Sequence, residues 1–297
     1  LYRHLTKLTE SPAAVAPNLL NAPNNTANNL SACRRPPDKN LAHLLNQPTS
    51  SFPFARPTYR GGFWSPRSCW PPLSKTAVLV PYRNRSENLD KFVPYMQTLL
   101  QQQNIAYGIF VIEQANTKLF NRAKLLNVGF RVAQQFAKFD CFVLHDADKV
   151  PENVGNIYDC VRSPKLMISA MRQEGDATRK YHRGRMYNNF LGGSAAISKQ
   201  AFERVNGNSN RYYGWGREDD ELASRLGLRG MQIFYPRGHV ARFVNLKHSS
   251  DVIINTMPWP HWSRVRAVMN KDGLNSLNYT DKGIYLHNLF VLIRADL

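Results

Sequence analysis

None of the four cysteines, Cys33, Cys69, Cys141 and Cys160, stands in a Cys-x-x-Cys pair. That excludes zinc ribbons and thioredoxin-type redox chemistry. No run of about 18 apolar residues occurs, so no membrane-spanning helix is expected within these residues. No internal repeat is visible. Acidic residues are scarce, 21 Asp and Glu against 39 Lys and Arg, which leaves a net charge of +18. Such an excess suits an anionic partner: nucleic acid, an acidic glycan, a membrane face or a phosphorylated ligand. The basic residues are scattered, and neither an aromatic-and-basic RNA module nor a helix-turn-helix is recognisable, which disfavours nucleic acid. What is present is core: 43% hydrophobic and 11% aromatic residues in a chain of 297, enough for one large domain or two small ones.

The first 65 residues are rich in Pro, Asn, Ser and Ala and read as a stem, residues 1–65, ahead of a folded domain, residues 66–297. The Cys33 end of the stem is expected to be tied down. Asn24, Asn29, Asn84 and Asn278 each begin an N-glycosylation triplet, and with the even cysteine count they favour a secretory compartment.

From Lys75 the pattern changes. Thr76–Pro81 and Tyr107–Ile112 are apolar runs of strand length, and Ser86 is expected to cap a helix to Leu100 with Leu89, Phe92, Val93, Met96 and Leu99 on one face. A second helix starts near Phe120 and reaches about Phe139. The next run, Cys141-Phe-Val-Leu-His-Asp-Ala-Asp148, is the centre of the chain. Its alternation of strand, helix and strand predicts an α/β fold around a parallel sheet. In such sheets ligands lie beyond the carboxyl ends of the strands, where Asp146 and Asp148 offer hard oxygens to a divalent cation and a phosphorylated ligand. Taken alone, Asp-x-Asp is as well explained by two solvated turn aspartates. Gly214-Trp-Gly-Arg-Glu-Asp-Asp-Glu221 supplies a second acidic cluster beside two glycine hinges, and the pair points to a sugar-nucleotide-dependent transferase. Cys141 and Cys160 either clamp the intervening turn as a disulfide or remain buried thiols. Lys165–Met171, Phe190–Ser198, Met231–Tyr235 and Val240–His248 are read as further strands, Arg172–Asn189 as a polar loop, and Lys199–Val205 and Glu218–Leu226 as helices, the first capped by Ser198.

Several blocks carry a resemblance. Val80-Pro-Tyr-Arg-Asn-Arg85, Phe120-Asn-Arg-Ala-Lys-Leu-Leu-Asn-Val-Gly-Phe130, Asp146-Ala-Asp148, Gly192-Gly193 with Ser198-Lys199, Gly214-Trp-Gly-Arg-Glu-Asp-Asp220 and Asp272-Gly-Leu-Asn-Ser-Leu277 occur in this order. They resemble the β-1,4-galactosyltransferase family, glycosyltransferase family 7. The resemblance implies a GT-A type nucleotide-diphospho-sugar transferase fold, with a Rossmann-like central mixed sheet and flanking helices. It also implies a Golgi-lumenal, single-pass type II enzyme whose anchor would lie ahead of these residues. Two disulfides among Cys33, Cys69, Cys141 and Cys160 are implied. Pro81, Tyr82, Arg83, Arg85, Phe120, Arg122, Asp146 and Ala147 would hold the UDP-sugar, with Trp215 closing over it and Phe190 bearing on galactose against N-acetylgalactosamine. Asp148 and His248 would bind Mn²⁺. Glu218, Asp220, Trp215 and Gly216 would face the acceptor, a terminal N-acetylglucosamine, with Asp219 as general base.

The chain also departs from the family pattern. The place of a frequent methionine ligand is held by Asn245, a harder donor that predicts use of Mg²⁺ beside Mn²⁺. Lys149 follows Asp-x-Asp where a hydrophobic residue is common. Arg217 replaces a glycine and resembles the xylose-directed branch, whose His-x-His motif is absent from His248-Ser-Ser. The rival readings are transfer of N-acetylgalactosamine, a xylose acceptor, and a catalytically weak sugar-nucleotide-binding scaffold.

Overall fold

The computed structural model describes residues 4–15, 30–55, 57, 59–176, 178, 180–183, 187–247 and 253–297. The elements among them that place the site are, in chain order, β1 (Thr6–Lys7), α1 (Pro12–Val15), β2 (Lys75–Tyr82), α2 (Ser86–Leu100), β3 (Ala106–Gln114), α3 (Arg122–Phe136), β4 (Cys141–His145), β5 (Lys149–Pro151), β6 (Lys165–Leu166), β7 (Ala170–Gln173), β8 (His182–Arg183), β9 (Ser194–Ser198), α4 (Lys199–Arg204), α5 (Glu218–Leu228), β10 (Arg242–Asn245), α6 (Trp262–Val268), β11 (Thr280–Leu286) and β12 (Val291–Asp296).

The main sheet runs β1-β11-β12-β3-β2-β4-β9-β6, and a smaller one β5-β10-β7-β8. β12, β3, β2 and β4 are mutually parallel, as the crossover pattern predicts. Antiparallel strands flank them, with β9 beside β4 and β11 beside β12. The mixed sheet between helices is the GT-A type arrangement. Its centre is apolar on both faces: Val78, Leu79, Phe110, Ile112, Phe142 and Val143 are inaccessible to solvent. That is why these strands read as continuous hydrophobic runs rather than alternating ones. The apolar stripe of α2, Leu89, Phe92, Val93, Met96 and Leu99, is buried.

Both cysteine pairs are bonded, Cys33–Cys69 and Cys141–Cys160. The second ties the start of β4 to the segment behind the Asp-x-Asp turn. From residue 30 onward the described part of the Pro/Asn-rich region lies on the domain, where Leu41, Leu44 and Phe52 are buried and Arg35 pairs with Asp159 at 2.8 Å.

Four local expectations are corrected. Ser86 is the first helical residue rather than the cap, which falls on Arg85 and has no side-chain capping bond. Lys165–Met171 is two short strands, not one: the backbone leaves the main sheet after Leu166 and joins the smaller sheet at Ala170. Met231–Tyr235 forms no strand; only Phe234 bridges, to Lys165. Within the expected polar loop, Arg172 belongs to β7 and pairs with buried Glu152 at 2.7 Å. Ser198 caps α4 as expected, accepting from the Ala201 amide.

Candidate active site

The carboxyl ends of β2 and β4 open on the same side of the sheet, and their turns carry the first group of candidate residues. His145, the last residue of β4, is fully buried, and burial pushes its imidazole down to about 4. It is therefore neutral. Nδ1 donates to the Asp146 carbonyl at 2.9 Å, and Nε2 accepts from the Tyr158 hydroxyl at 2.7 Å. The Asp146 amide donates to the Gly193 carbonyl at 2.9 Å. Thus the Asp-x-Asp turn is held from both sides, with Ala147 and Asp148 buried within it. Pro81 and Tyr82 end β2 in the interior, and Arg83 and Arg85 follow in a turn where Asn84 takes φ 51°. Arg83 stacks over Phe120 at 5.2 Å and donates to the Lys118 carbonyl. Arg85 lies 3.9 Å from Asp148.

The second group stands at the N-terminus of α5. Arg217, in the left-handed region at φ 74°, turns the chain into the helix. Glu218 is buried, and its Oε2 has no hydrogen-bond partner, an orphan acceptor of the kind a polar ligand satisfies. Asp219 is half-buried. Burial first, then the Glu218 and Asp220 carboxylates, push it up to about 8. Asp220 accepts from the Tyr187 hydroxyl at 2.6 Å. Glu221 faces the other way, bonded to fully buried Arg225 at 2.7 Å and to Tyr212 at 2.6 Å. The fourth acid of the run is thereby committed to packing, while Glu218, Asp219 and Asp220 stand on the side of the helix that faces Arg122 and Tyr187.

Arg122 joins the two groups. As the first residue of α3, behind the Asn121 cap, it donates to Asp146 at 2.6 Å and lies 3.5 Å from Glu218. Burial opposes its charge, but Asp146 and Glu218 outweigh that and hold it above its ordinary value. Gly192 packs closely on the same acids: a methyl there would meet the Asp219 carboxylate and, at 2.7 Å, the ring of Phe190. Phe190 itself is nearly buried, edge-on to Tyr187 at 5.3 Å.

Just ahead of these acids in the chain, Trp215 is 66% exposed. Gly214 and Gly216 flank it at φ 89° and 100°, a backbone geometry that glycine adopts without strain. The Trp215 amide donates to the Ile253 carbonyl at 2.8 Å, and buried Asn255 holds the carbonyls of Trp215 and Gly216.

Asn245 ends β10 opposite Lys149 in the register of the smaller sheet. The Lys149 ammonium donates to Asp148 Oδ2 at 2.9 Å and to Asn245 Oδ1 at 2.6 Å. The two oxygens expected to bind a metal thus share the Lys149 ammonium. His248, the remaining expected ligand, lies outside the described residues.

Sequence reasoning missed His145, Tyr187 and Asn255, and recorded Lys149 only as a departure. His145 adjoins Asp146, so its position carried a signal. Tyr187 and Asn255 act across 33 and about 40 residues, a pairing no local pattern discloses.

Two family models match the chain: the N-terminal region of glycosyl transferase group 7 over residues 46–161, and the N-terminal domain of galactosyltransferase over residues 173–249. Beta-1,4-galactosyltransferase 1 of Homo sapiens is 39% identical over 239 residues, 80% of this chain and 58% of that protein. Beta-1,4-galactosyltransferase 4 of Homo sapiens is 37% identical over 242 residues, 81% of this chain and 68% of that protein. The chain therefore spans little more than half of the first of these relatives. Among solved structures, the catalytic domain of Drosophila beta1,4galactosyltransferase 7 in complex with xylobiose superposes with a TM-score of 0.59 at 32% identity, covering 76% of this chain and 94% of that one. A mutant of the Drosophila enzyme in complex with manganese, UDP-Gal and xylobiose gives a TM-score of 0.61 at 30% identity, with the same coverage.

Proposed function

The chain belongs to the glycosyl transferase group 7 family, and from that premise we propose that it transfers galactose, with inversion, from UDP-galactose to the 4-hydroxyl of a terminal β-N-acetylglucosamine. The observation that carries the reading is the Arg122 bridge: one guanidinium ties the Asp146 turn, where a donor would lie, to Glu218, where an acceptor would lie.

On this reading the diphosphate rests against Arg83 and Arg85 beyond β2, with Pro81, Tyr82, Phe120, Asp146 and Ala147 forming the cleft. Asp148, Asn245 and His248 would hold a divalent cation, Mn²⁺ by likeness to the manganese-bound neighbour, with Mg²⁺ also tolerated. Such a cation supplies charge to the departing diphosphate. The arginines add preorganised positive charge as the glycosidic bond of the donor lengthens. Glu218 and Asp220 accept from acceptor hydroxyls, the orphan Oε2 of Glu218 among the acceptors. Asp219 takes the proton from the attacking hydroxyl, and its raised pKa matches it to that task near neutral pH. One base suffices, because inversion needs no second carboxylate on the opposite face. Trp215, exposed between its two glycines, closes over the donor and excludes water that would hydrolyse it. Phe190 supplies bulk beside the sugar and favours galactose over N-acetylgalactosamine.

The division into a stem at 1–65 and a catalytic domain at 66–297, and a Golgi-lumenal type II setting, belong to the same proposal. Among the described residues no helix is long and apolar enough to cross a membrane. A xylose acceptor is the second reading, favoured by Arg217 at the start of α5 and by the xylobiose-bound neighbours. The test is UDP release with UDP-galactose or UDP-N-acetylgalactosamine and either N-acetylglucosamine or xylose. Release that requires UDP-galactose and N-acetylglucosamine is expected. Release with xylose alone selects the second reading, and no acceptor-dependent release with any pair refutes both.

A further inference from the structure

The turn that presents Asp148 carries a cation of its own. Lys149 opens β5 as the cross-strand partner of Asn245, so their side chains emerge on one face of the smaller sheet. Its ammonium spans Asp148 Oδ2 and Asn245 Oδ1, at 2.9 and 2.6 Å, and the side chain is only 15% exposed. The Asn245 amide has a second partner. Its Nδ2 donates to Gln173 Oε1 at 2.8 Å, which turns Oδ1 toward Lys149. Arg85 adds a second positive charge 3.9 Å from the same Asp148 oxygen. The carboxylate is thus charge-compensated by the protein alone.

An ammonium and a divalent ion make the same demand on these oxygens, and an oxygen pair engaged by one is not free for the other. Resting on the reading of Asp148 and Asn245 as metal-holding residues, we infer that Lys149 is a tethered competitor of the divalent ion. Its ammonium holds the cradle in the ion-free protein and leaves before an ion is seated. The apparent metal affinity is then the intrinsic affinity multiplied by the fraction of molecules whose ammonium is out. Two charge-assisted bonds hold it in, so the reduction is on the order of a hundred-fold or more. Lys149 sets the ion concentration at which the site loads.

The test is Mn²⁺ binding to the purified full chain without nucleotide or acceptor, with free Mn²⁺ read by electron paramagnetic resonance. The proteins are the unaltered chain, Lys149→Met, Lys149→Gln, Asp148→Ala and Lys149→Met/Asp148→Ala. Lys149→Met is expected to bind Mn²⁺ more tightly, by roughly a hundred-fold or more. It should also show a larger Mn²⁺-induced rise in Tm, with both gains gone in the double variant. Lys149→Gln, which keeps polar length without charge, should shift in the same direction and covers the case in which Met disturbs the turn. Unchanged affinity in both Lys149 variants, with binding lost in Asp148→Ala, overturns the competitor and leaves the metal reading intact. Weaker binding in both, at unchanged fold by circular dichroism, also overturns it, because Lys149 would then support the site. Binding indifferent to Asp148 defeats the metal reading itself.

Discussion

Gly192→Ala is a one-methyl test of where the base stands. The backbone at Gly192 lies outside the left-handed region, so alanine is conformationally admissible there, unlike at Gly193 with φ 81°. The added methyl has no room, however. It meets Asp219 Oδ2 inside contact distance and Phe190 ring carbons at 2.7 and 2.9 Å. Phe190 is packed and cannot retreat far, so the carboxylate moves. Overpacking of this kind costs about 1–3 kcal/mol, less here because Asp219 is half-buried and can swing. Displacing a catalytic group by about 1 Å costs up to roughly a hundred-fold in rate. The expected result is a kcat fall of that order, little change in Mn²⁺-dependent UDP affinity, and a Tm close to that of the unaltered chain. Steady-state kinetics, UDP titration and thermal unfolding separate these. A kcat within two-fold of the unaltered enzyme, with the fold intact, would refute the placement of Asp219 at the reacting hydroxyl.

Three further outcomes are expected. Because burial and two neighbouring carboxylates push Asp219 up to about 8, and a base works deprotonated, kcat/KM should climb with pH and level off above about 8. Asp219→Asn should remove both the limb and the activity. The sign for stability is opposite: the raised pKa favours the folded state while Asp219 is protonated, so its contribution is full below the unfolded value and lost as pH rises through about 8, readable as a smaller Tm loss in Asp219→Asn. Replacing Cys141 and Cys160 by serine opens a 19-residue closure and should lower stability by about 2–4 kcal/mol in denaturant titrations; an unchanged midpoint would deny the clamp. Arg225→Met strands Glu221 in the interior and should cost about 3–5 kcal/mol, whereas Arg225→Met with Glu221→Leu should recover much of it; a single variant as stable as the parent would contradict the buried pair.

What could be read from the chain follows from how local the signal is. The runs in β2, β3 and β4 are apolar because both faces are covered, and the stripe of α2 was legible by its period, although the burial of Gln97 and Thr98 shows that the helix is covered well beyond that stripe. The Lys165–Met171 run looked like one strand because hydropathy does not register that the backbone changes sheets at Met167–Ser169. Met231–Tyr235 has strand composition, yet it meets the sheet only through Phe234. In the site, Asp146, Asp148 and the acids of α5 were visible as types at spacings. Their sorting was not: that Glu221 belongs to Arg225, and that Lys149 reaches Asn245 across 96 residues, is decided by tertiary register. The resemblance supplied roles, and geometry supplied the exceptions.

The parallel pairing of β3 with β12 has a consequence for biosynthesis. Glu113 on β3 meets Arg294 on β12 across 181 residues. At typical translation speeds of about 5–20 residues per second, one edge of the central strand therefore waits roughly ten to forty seconds for its neighbour. During that interval the β12 side of β3 from Phe110 to Gln114 lacks its partner strand. Such an unpaired edge is a template for mispairing. The main sheet can be completed on this side only after residues 291–296 have emerged.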